Sequence, residues 1–237
     1  MHQINIPSYV DERSMQRRGK VNIFDSIDPA RTAHIIVDLQ NGFLAPGAAS
    51  EIATAREIVP NVNSISAACR EDGGLNVFLQ HTIDAKAHET WSTWFDYFSH
   101  ADRRKRMDET FAEGSFGHQL WHLLDIADAD LKVKKSRFGA FVEGSSGLHG
   151  ILQARGIDTL IITGTATNVC CESTARDAMM MNYKVVFLSD ANACRTDEEH
   201  NATLGNMLAL FADVRSTEEV VAMIEAGGGA ALADAAE

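Results

Sequence analysis

Apolar residues along this chain fall into two kinds of segment that alternate from about residue 31 onward. Short runs rich in β-branched and other apolar residues occupy 33–39, 75–81, 158–163 and 184–189, with a weaker one at 213–215. A sixth run, 131–135, alternates apolar residues with lysines. Runs that are apolar throughout predict strands buried on both faces, the condition of a parallel sheet. Between the runs, 60–71, 147–155, 172–182, 197–212 and 217–226 repeat apolar residues at helical spacing, the first with Pro60 at a tolerated first-turn position. Alternating strand and helix predict an α/β domain whose helices cover both sides of the sheet, with ligands bound at the carboxyl ends of the strands.

With 237 residues, 45% of them hydrophobic, the chain is long enough for one full α/β core. That domain is expected over 31–226. Residues 1–30 are polar and punctuated and predict an arm lying on the body or on a neighbouring subunit. The segment 82–130 breaks the alternation as an insertion, and its Trp91, Trp94, Phe95, Tyr97, Phe98 and Trp121 suit a lid, an oligomer contact or an extra packed helix pair. The small-residue ending, 227–237, is expected to be a mobile tail.

The net charge of −12 argues against partnership with nucleic acid or with an anionic membrane. The one basic run, Arg103 to Arg106, lies among Asp102, Asp108 and Glu109 and reads as a solvated helix face rather than a carboxylate-attracting rim. The cysteines, Cys69, Cys170, Cys171 and Cys194, form no C-x-x-C pair, and no apolar run approaches membrane-spanning length. A soluble, cytoplasmic protein is expected.

Candidate chemistry gathers at three strand ends. Cys170 follows the run 158–163 across the turn Gly164-Thr165-Ala166-Thr167-Asn168-Val169, at the start of a predicted helix. There, unpaired N–H groups and the helix dipole favour thiolate, whereas an unperturbed thiol is only ~3% ionised at neutral pH. Asp38 closes the first run as a half-desolvated carboxylate. Lys135 closes the third, and the period of two places it with Leu131 and Val133 rather than with Lys132 and Lys134, so it needs an anionic partner. Singly, these residues also suit a small buried hydrophobe, a turn cap and an aggregation-resistant edge. Together they supply a nucleophile, a proton acceptor and a cation.

The stretches Val37-Asp38-Leu39-Gln40-Asn41-Gly42-Phe43, Lys135-Ser136-Arg137-Phe138-Gly139-Ala140-Phe141 and Thr163 through Ala178 resemble the isochorismatase-like cysteine hydrolases, over roughly 32–214. The resemblance implies a three-layer, Rossmann-like domain with a six-stranded parallel sheet and an Asp38, Lys135, Cys170 triad. It selects Cys170 over Cys171, which becomes a packing residue. It also implies a cis peptide between Thr165 and Ala166 and an oxyanion hole from the N–H groups of Ala166 and Cys170. Nicotinamidases in the family bind metal through Asp-x-His, which is broken here to Gln80-His81-Thr82-Ile83-Asp84, so no metal and no cofactor are expected, although His81, Asp84 and His88 are the candidate ligands.

Similarity to the branch acting on carbamoyl and ureido compounds implies hydrolysis of a small linear amide or ureide, of ureidoacrylate, biuret, triuret or N-carbamoyl type. Gln40, Phe43, Trp91, Phe141 and Asn168 are the candidate pocket residues. Family members form dimers or tetramers, so a homo-oligomer is expected. The competing readings are vinyl-ether hydrolysis, against which the cysteine argues, and a non-catalytic scaffold, against which the intact triad argues. A nucleotide-binding domain would need more than the single Gly164 in its turn.

Overall fold

The computed structural model describes residues 1–234, and the last three residues of the expected tail lie outside them. In chain order the elements are α1 (Ser8–Arg18), β1 (Thr32–Val37), α2 (Asn41–Leu44), α3 (Val59–Glu71), β2 (Leu75–His81), α4 (Ala85–Thr90), α5 (Ser92–Tyr97) and α6 (Ala101–Phe111). There follow β3 (Leu131–Lys135), α7 (Leu148–Ala154), β4 (Thr159–Thr165), α8 (Glu172–Met180), β5 (Lys184–Ala193), α9 (Asp197–Asn206), β6 (Asp213–Arg215) and α10 (Thr217–Asp234). Single π-helical turns, Thr167–Cys171 and Met207–Phe211, open α8 and close α9. The strands form one six-stranded sheet in the order β3-β2-β1-β4-β5-β6. Every pairing is parallel. Chain order reverses between β1 and β4, so a crevice opens beyond their carboxyl ends.

The pleat divides the core in two. Ile36, Phe78, Ile161 and Val186 pack with Val62 and Ile65 of α3 and with Val220 and Ile224 of α10. Ile35, Val37, Val77, Leu79, Ile162 and Phe187 pack on the other side with Leu148 and Leu152 of α7 and with Ala175 and Ala178 of α8. Both central strands, β1 and β4, are buried along their whole length. Among the described residues no helix is long and apolar enough to cross a membrane.

One polar residue sits inside β1. His34 is fully buried, with Nε2 2.7 Å from Thr163 Oγ1 and Nδ1 3.2 Å from Ser66 Oγ. Burial lowers its pKa from 6.5 to about 3. The unfolded chain therefore binds a proton that the fold refuses, so this contribution is full above pH 6.5 and drains away as pH falls towards 3. A His34→Gln variant is expected to flatten the dependence of urea-unfolding free energy on pH between about pH 7 and about pH 5. An unchanged slope would show that another group carries the acid sensitivity.

The two ends of the chain depart from expectation. Residues 1–30 contain α1, whose helical pattern is too sparse to read because only Val10 and Ser14 are buried. This arm lies on its own body: Ser14 Oγ donates to Leu208 O at 3.4 Å and Arg17 to Ala209 O at 2.7 Å. The C-terminal helix continues past 226, through Gly227 and Gly228, to Asp234. Those glycines permit close contact, since a Cβ would stand 1.9 Å from Ile27 O at the first and 2.0 Å from Asp72 Oδ1 at the second. The insertion holds three short helices and then an irregular stretch that docks on the end of β1. There Asn41 N–H donates to Gln119 O (2.9 Å), Gly42 N–H to Gly117 O (2.8 Å) and Trp121 N–H to Leu39 O (2.9 Å).

Candidate active site

Strand β1 ends one residue before Asp38, which takes a left-handed backbone with φ 54°, uncommon for a residue other than glycine. Its N–H stays bonded to Leu79 O (3.1 Å), so the chain turns while still attached to the sheet. Beside it β4 passes so closely that a Cβ on Gly164, whose φ is +122°, would lie 2.1 Å from Val37 O. Glycine is required at that crossing. Lys135 ends the edge strand β3, whose side chains alternate as expected, with Lys132 and Lys134 exposed and Lys135 buried. Its ammonium reaches across the end of β2 to Asp38 Oδ2 at 2.7 Å, both side chains being 0% exposed, and also donates to Arg137 O at 3.0 Å. Cys170 lies in the π-helical turn after β4, 5% exposed, with its thiol against both Asp38 and Lys135. The three residues singled out in the sequence therefore meet at one rim of the sheet.

The electrostatics differ from the expected dipole-activated thiolate. Burial pushes the Cys170 thiol up, and the Asp38 carboxylate adds to this against the opposing pull of Lys135. Burial thus works against a standing thiolate at Cys170. Burial also raises Asp38, although the neighbouring ammonium works the other way. Burial disfavours the Lys135 ammonium, but Asp38 and Cys170 outweigh it and leave its pKa above the ordinary lysine value. Neither Asp38 oxygen meets a donor in ordinary hydrogen-bond geometry, and Oδ2 is held by the ion pair with Lys135. The arrangement is thus a buried ion pair against a thiol whose ionisation burial disfavours, which suits proton transfer on demand. Cys171 is fully buried in the core formed with α8. The peptide between Thr165 and Ala166 is cis.

Cys170 opens onto a cavity of about 220 Å³. Phe43 and Asn168, both expected there, line it. Three other expected residues do not. Gln40 is spent on structure: its side chain accepts from His81 N–H (2.8 Å) and donates to His81 O (3.1 Å) and His118 O (2.9 Å), tying the ends of β1 and β2 to the insertion. Trp91 stands behind the wall, edge-on to Phe138 at 4.8 Å and under the Arg137 guanidinium at 5.2 Å. Its neighbour Trp94 lines the cavity instead. Phe141 packs on Tyr183 at 5.5 Å, and Phe138, three residues earlier in the same motif, takes the place at the wall.

Sequence reasoning also missed Arg103, Arg195 and Glu199, which line the same cavity. Arg103 belongs to the run read as a solvated face, while Arg195 follows β5 in a loop without periodicity. Of the candidate metal ligands, His81 lines the cavity with its Nδ1 unpartnered, while Asp84 and His88 are engaged elsewhere. His81 is buried against Phe111, Asp84 Oδ1 accepts from Ala87 N–H at 2.7 Å as the cap of α4, and His88 pairs with Asp108 at 3.0 Å.

The isochorismatase domain family matches residues 32–219. Among solved structures, a cysteine hydrolase from Pseudomonas syringae pv. phaseolicola 1448A is 27% identical, with a TM-score of 0.75 over 87% of this chain and 98% of that one. The N-carbamoylsarcosine amidase of Thermoplasma acidophilum shares the fold at 22% identity and a TM-score of 0.61, over 79% of this chain and 96% of its own. The zinc-bound pyrazinamidase of Pyrococcus horikoshii does so at 23% and 0.64, over 78% and 99%. Since the family match spans most of the sheet and the structural match spans nearly the whole of a cysteine hydrolase, this chain belongs to the isochorismatase-like cysteine hydrolases.

Proposed function

We propose that the protein is a cysteine-dependent amidohydrolase that cleaves the C–N bond of a small linear amide or ureide carrying a carboxylate. The observation that carries this reading is the Cys170 thiol held against the buried Asp38–Lys135 pair at the cavity. Asp38 takes the thiol proton as the sulfur attacks the carbonyl carbon, and the N–H groups of Ala166 and Cys170 hold the resulting oxyanion. The C–N bond then breaks as Asp38 returns the proton to the departing nitrogen, leaving a thioester, or its carbamoyl equivalent for a ureide. Asp38 next takes a proton from water, hydroxide adds to the same carbon, and the S–C bond breaks with the proton going back to sulfur. Lys135 keeps Asp38 ionised between these transfers.

The carboxylate preference comes from the wall. Arg103 and Arg195 face one small cavity, and a guanidinium pairs with a carboxylate through paired hydrogen bonds. The cavity suits a compact linear molecule of the N-carbamoyl amino acid or ureidoacrylate kind.

Ammonia release measured over N-carbamoyl amino acids, ureidoacrylate, biuret, triuret, maleamate and nicotinamide is expected to be fastest with a carboxylate-bearing linear substrate. Arg195→Ala is expected to raise KM for that substrate about tenfold while leaving neutral biuret nearly unaffected. Silence across the panel, with Cys170 inert to iodoacetamide, would refute the hydrolase reading.

A further inference from the structure

We infer that His2, far from the catalytic residues in sequence, is a positioning residue for the cavity wall. Its ring is buried between β5 and α9, with Nδ1 2.7 Å from Asp197 Oδ1, while the N–H of Cys194 donates to Nε2 at 3.1 Å. Because Nε2 accepts, the proton sits on Nδ1 and is given to the Asp197 carboxylate. One imidazole therefore grips the backbone just before Arg195 and a side chain just after it. The neighbouring residues extend the grip: Asn201 Nδ2 donates to Gln3 O at 2.8 Å, and Asn5 N–H donates to Asn201 Oδ1 at 2.6 Å. The braced strip, 194–201, carries both Arg195 and Glu199 of the wall.

A second contact leads towards the nucleophile. The His2 ring stacks on His200, centroids 4.3 Å apart and planes 15° from parallel. His200 Nε2 lies 2.9 Å from Ser189 O, an acceptor only, so Nε2 carries the proton and Nδ1 accepts from Thr167 Oγ1 at 2.9 Å. Thr167 opens the π-helical turn that holds Cys170. His2, Cys194 and His200 have the donor types of a metal site. Yet each imidazole nitrogen already has a partner, and lone pairs lying in two stacked planes do not converge on one ion. The cluster is a brace. Without it, the loop bearing Arg195 would have to hold its guanidinium in place at an entropic cost that would otherwise fall on substrate binding.

This inference rests on the anion-binding reading of the cavity, and its test needs no knowledge of the substrate. Cys170 is alkylated with iodoacetate and with iodoacetamide, the modified site is mapped by mass spectrometry, and the ratio of the two rates reports the pull of the wall on an anion. His2→Ala is expected to lower that ratio about fivefold with the iodoacetamide rate held within about twofold, and His2→Gln, whose carbonyl can accept from Cys194 N–H, to restore part of it. An unchanged ratio in His2→Ala, or an equal fall of both rates together with a lower melting temperature, overturns the positioning role. An unchanged ratio in Arg195→Ala overturns the anion-binding reading instead.

Discussion

Cys170→Ser is expected to lower turnover by at least about 10⁴-fold while leaving the urea midpoint nearly unchanged. The exchange replaces sulfur by oxygen at a 5% exposed position, so packing hardly alters. A hydroxyl is a much weaker acid than a thiol, however, and the Asp38 carboxylate that can relieve a thiol of its proton cannot do the same for serine. Cys171→Ala should behave in the opposite way. It removes a sulfur from the closed core and costs about 1 kcal/mol of stability, with turnover within about threefold of wild type. Turnover and urea unfolding measured on both variants decide the matter, and an active Cys170→Ser beside a dead Cys171→Ala would assign the nucleophile to the wrong sulfur.

Lys135→Met is expected to damage stability and activity together. Methionine fills much of the space of the lysine stem but leaves the Asp38 carboxylate, 0% exposed, without its cation. Breaking a buried pair in this way costs about 3–5 kcal/mol at neutral pH. Asp38 then escapes the penalty by holding its proton, which removes the base and lowers turnover by about 10²–10⁴-fold. The sign with pH follows: the carboxyl pKa rises further in the folded variant, so the stability deficit is largest at neutral pH and shrinks as acid protonates Asp38. Pairing Lys135→Met with Asp38→Leu should recover stability without recovering turnover. If urea unfolding shows the single variant to be as stable as wild type at neutral pH, the pair is not the buried ion pair described.

The triad was legible in the sequence because each member sits at the end of a segment whose period is unambiguous. β1 is apolar from Ile35 to Val37 just before Asp38, β3 alternates into Lys135, and β4 is apolar over Leu160 to Ile162 before the turn that leads to Cys170. The state of the thiol was not legible. Helix position argues for a lowered pKa, but burial depends on contacts made by distant segments, and here burial wins. The cavity wall was read less well for a similar reason. Phe138 and Phe141 lie on one motif and Trp91 and Trp94 on one insertion, so composition alone cannot say which ring faces the hole. Gln40 is a candidate pocket residue in the sequence, yet a buried amide at a strand end first has to satisfy the backbone around it. Arg195 and His2 are joined by contacts between segments more than 190 residues apart, which no local pattern encodes.

The alternation in β3 also bears on how the outermost strand finds its place. It has a neighbour on one side only, β2, which offers little to stop it sliding. A slip of one residue would turn Leu131, Val133 and Lys135 to water and drive Lys132 and Lys134 inward. At most one of those two ammonium groups could reach Asp38, and the other would be stranded among hydrocarbon. The charges that keep foreign strands away thus also proofread the alignment of the strand that carries them.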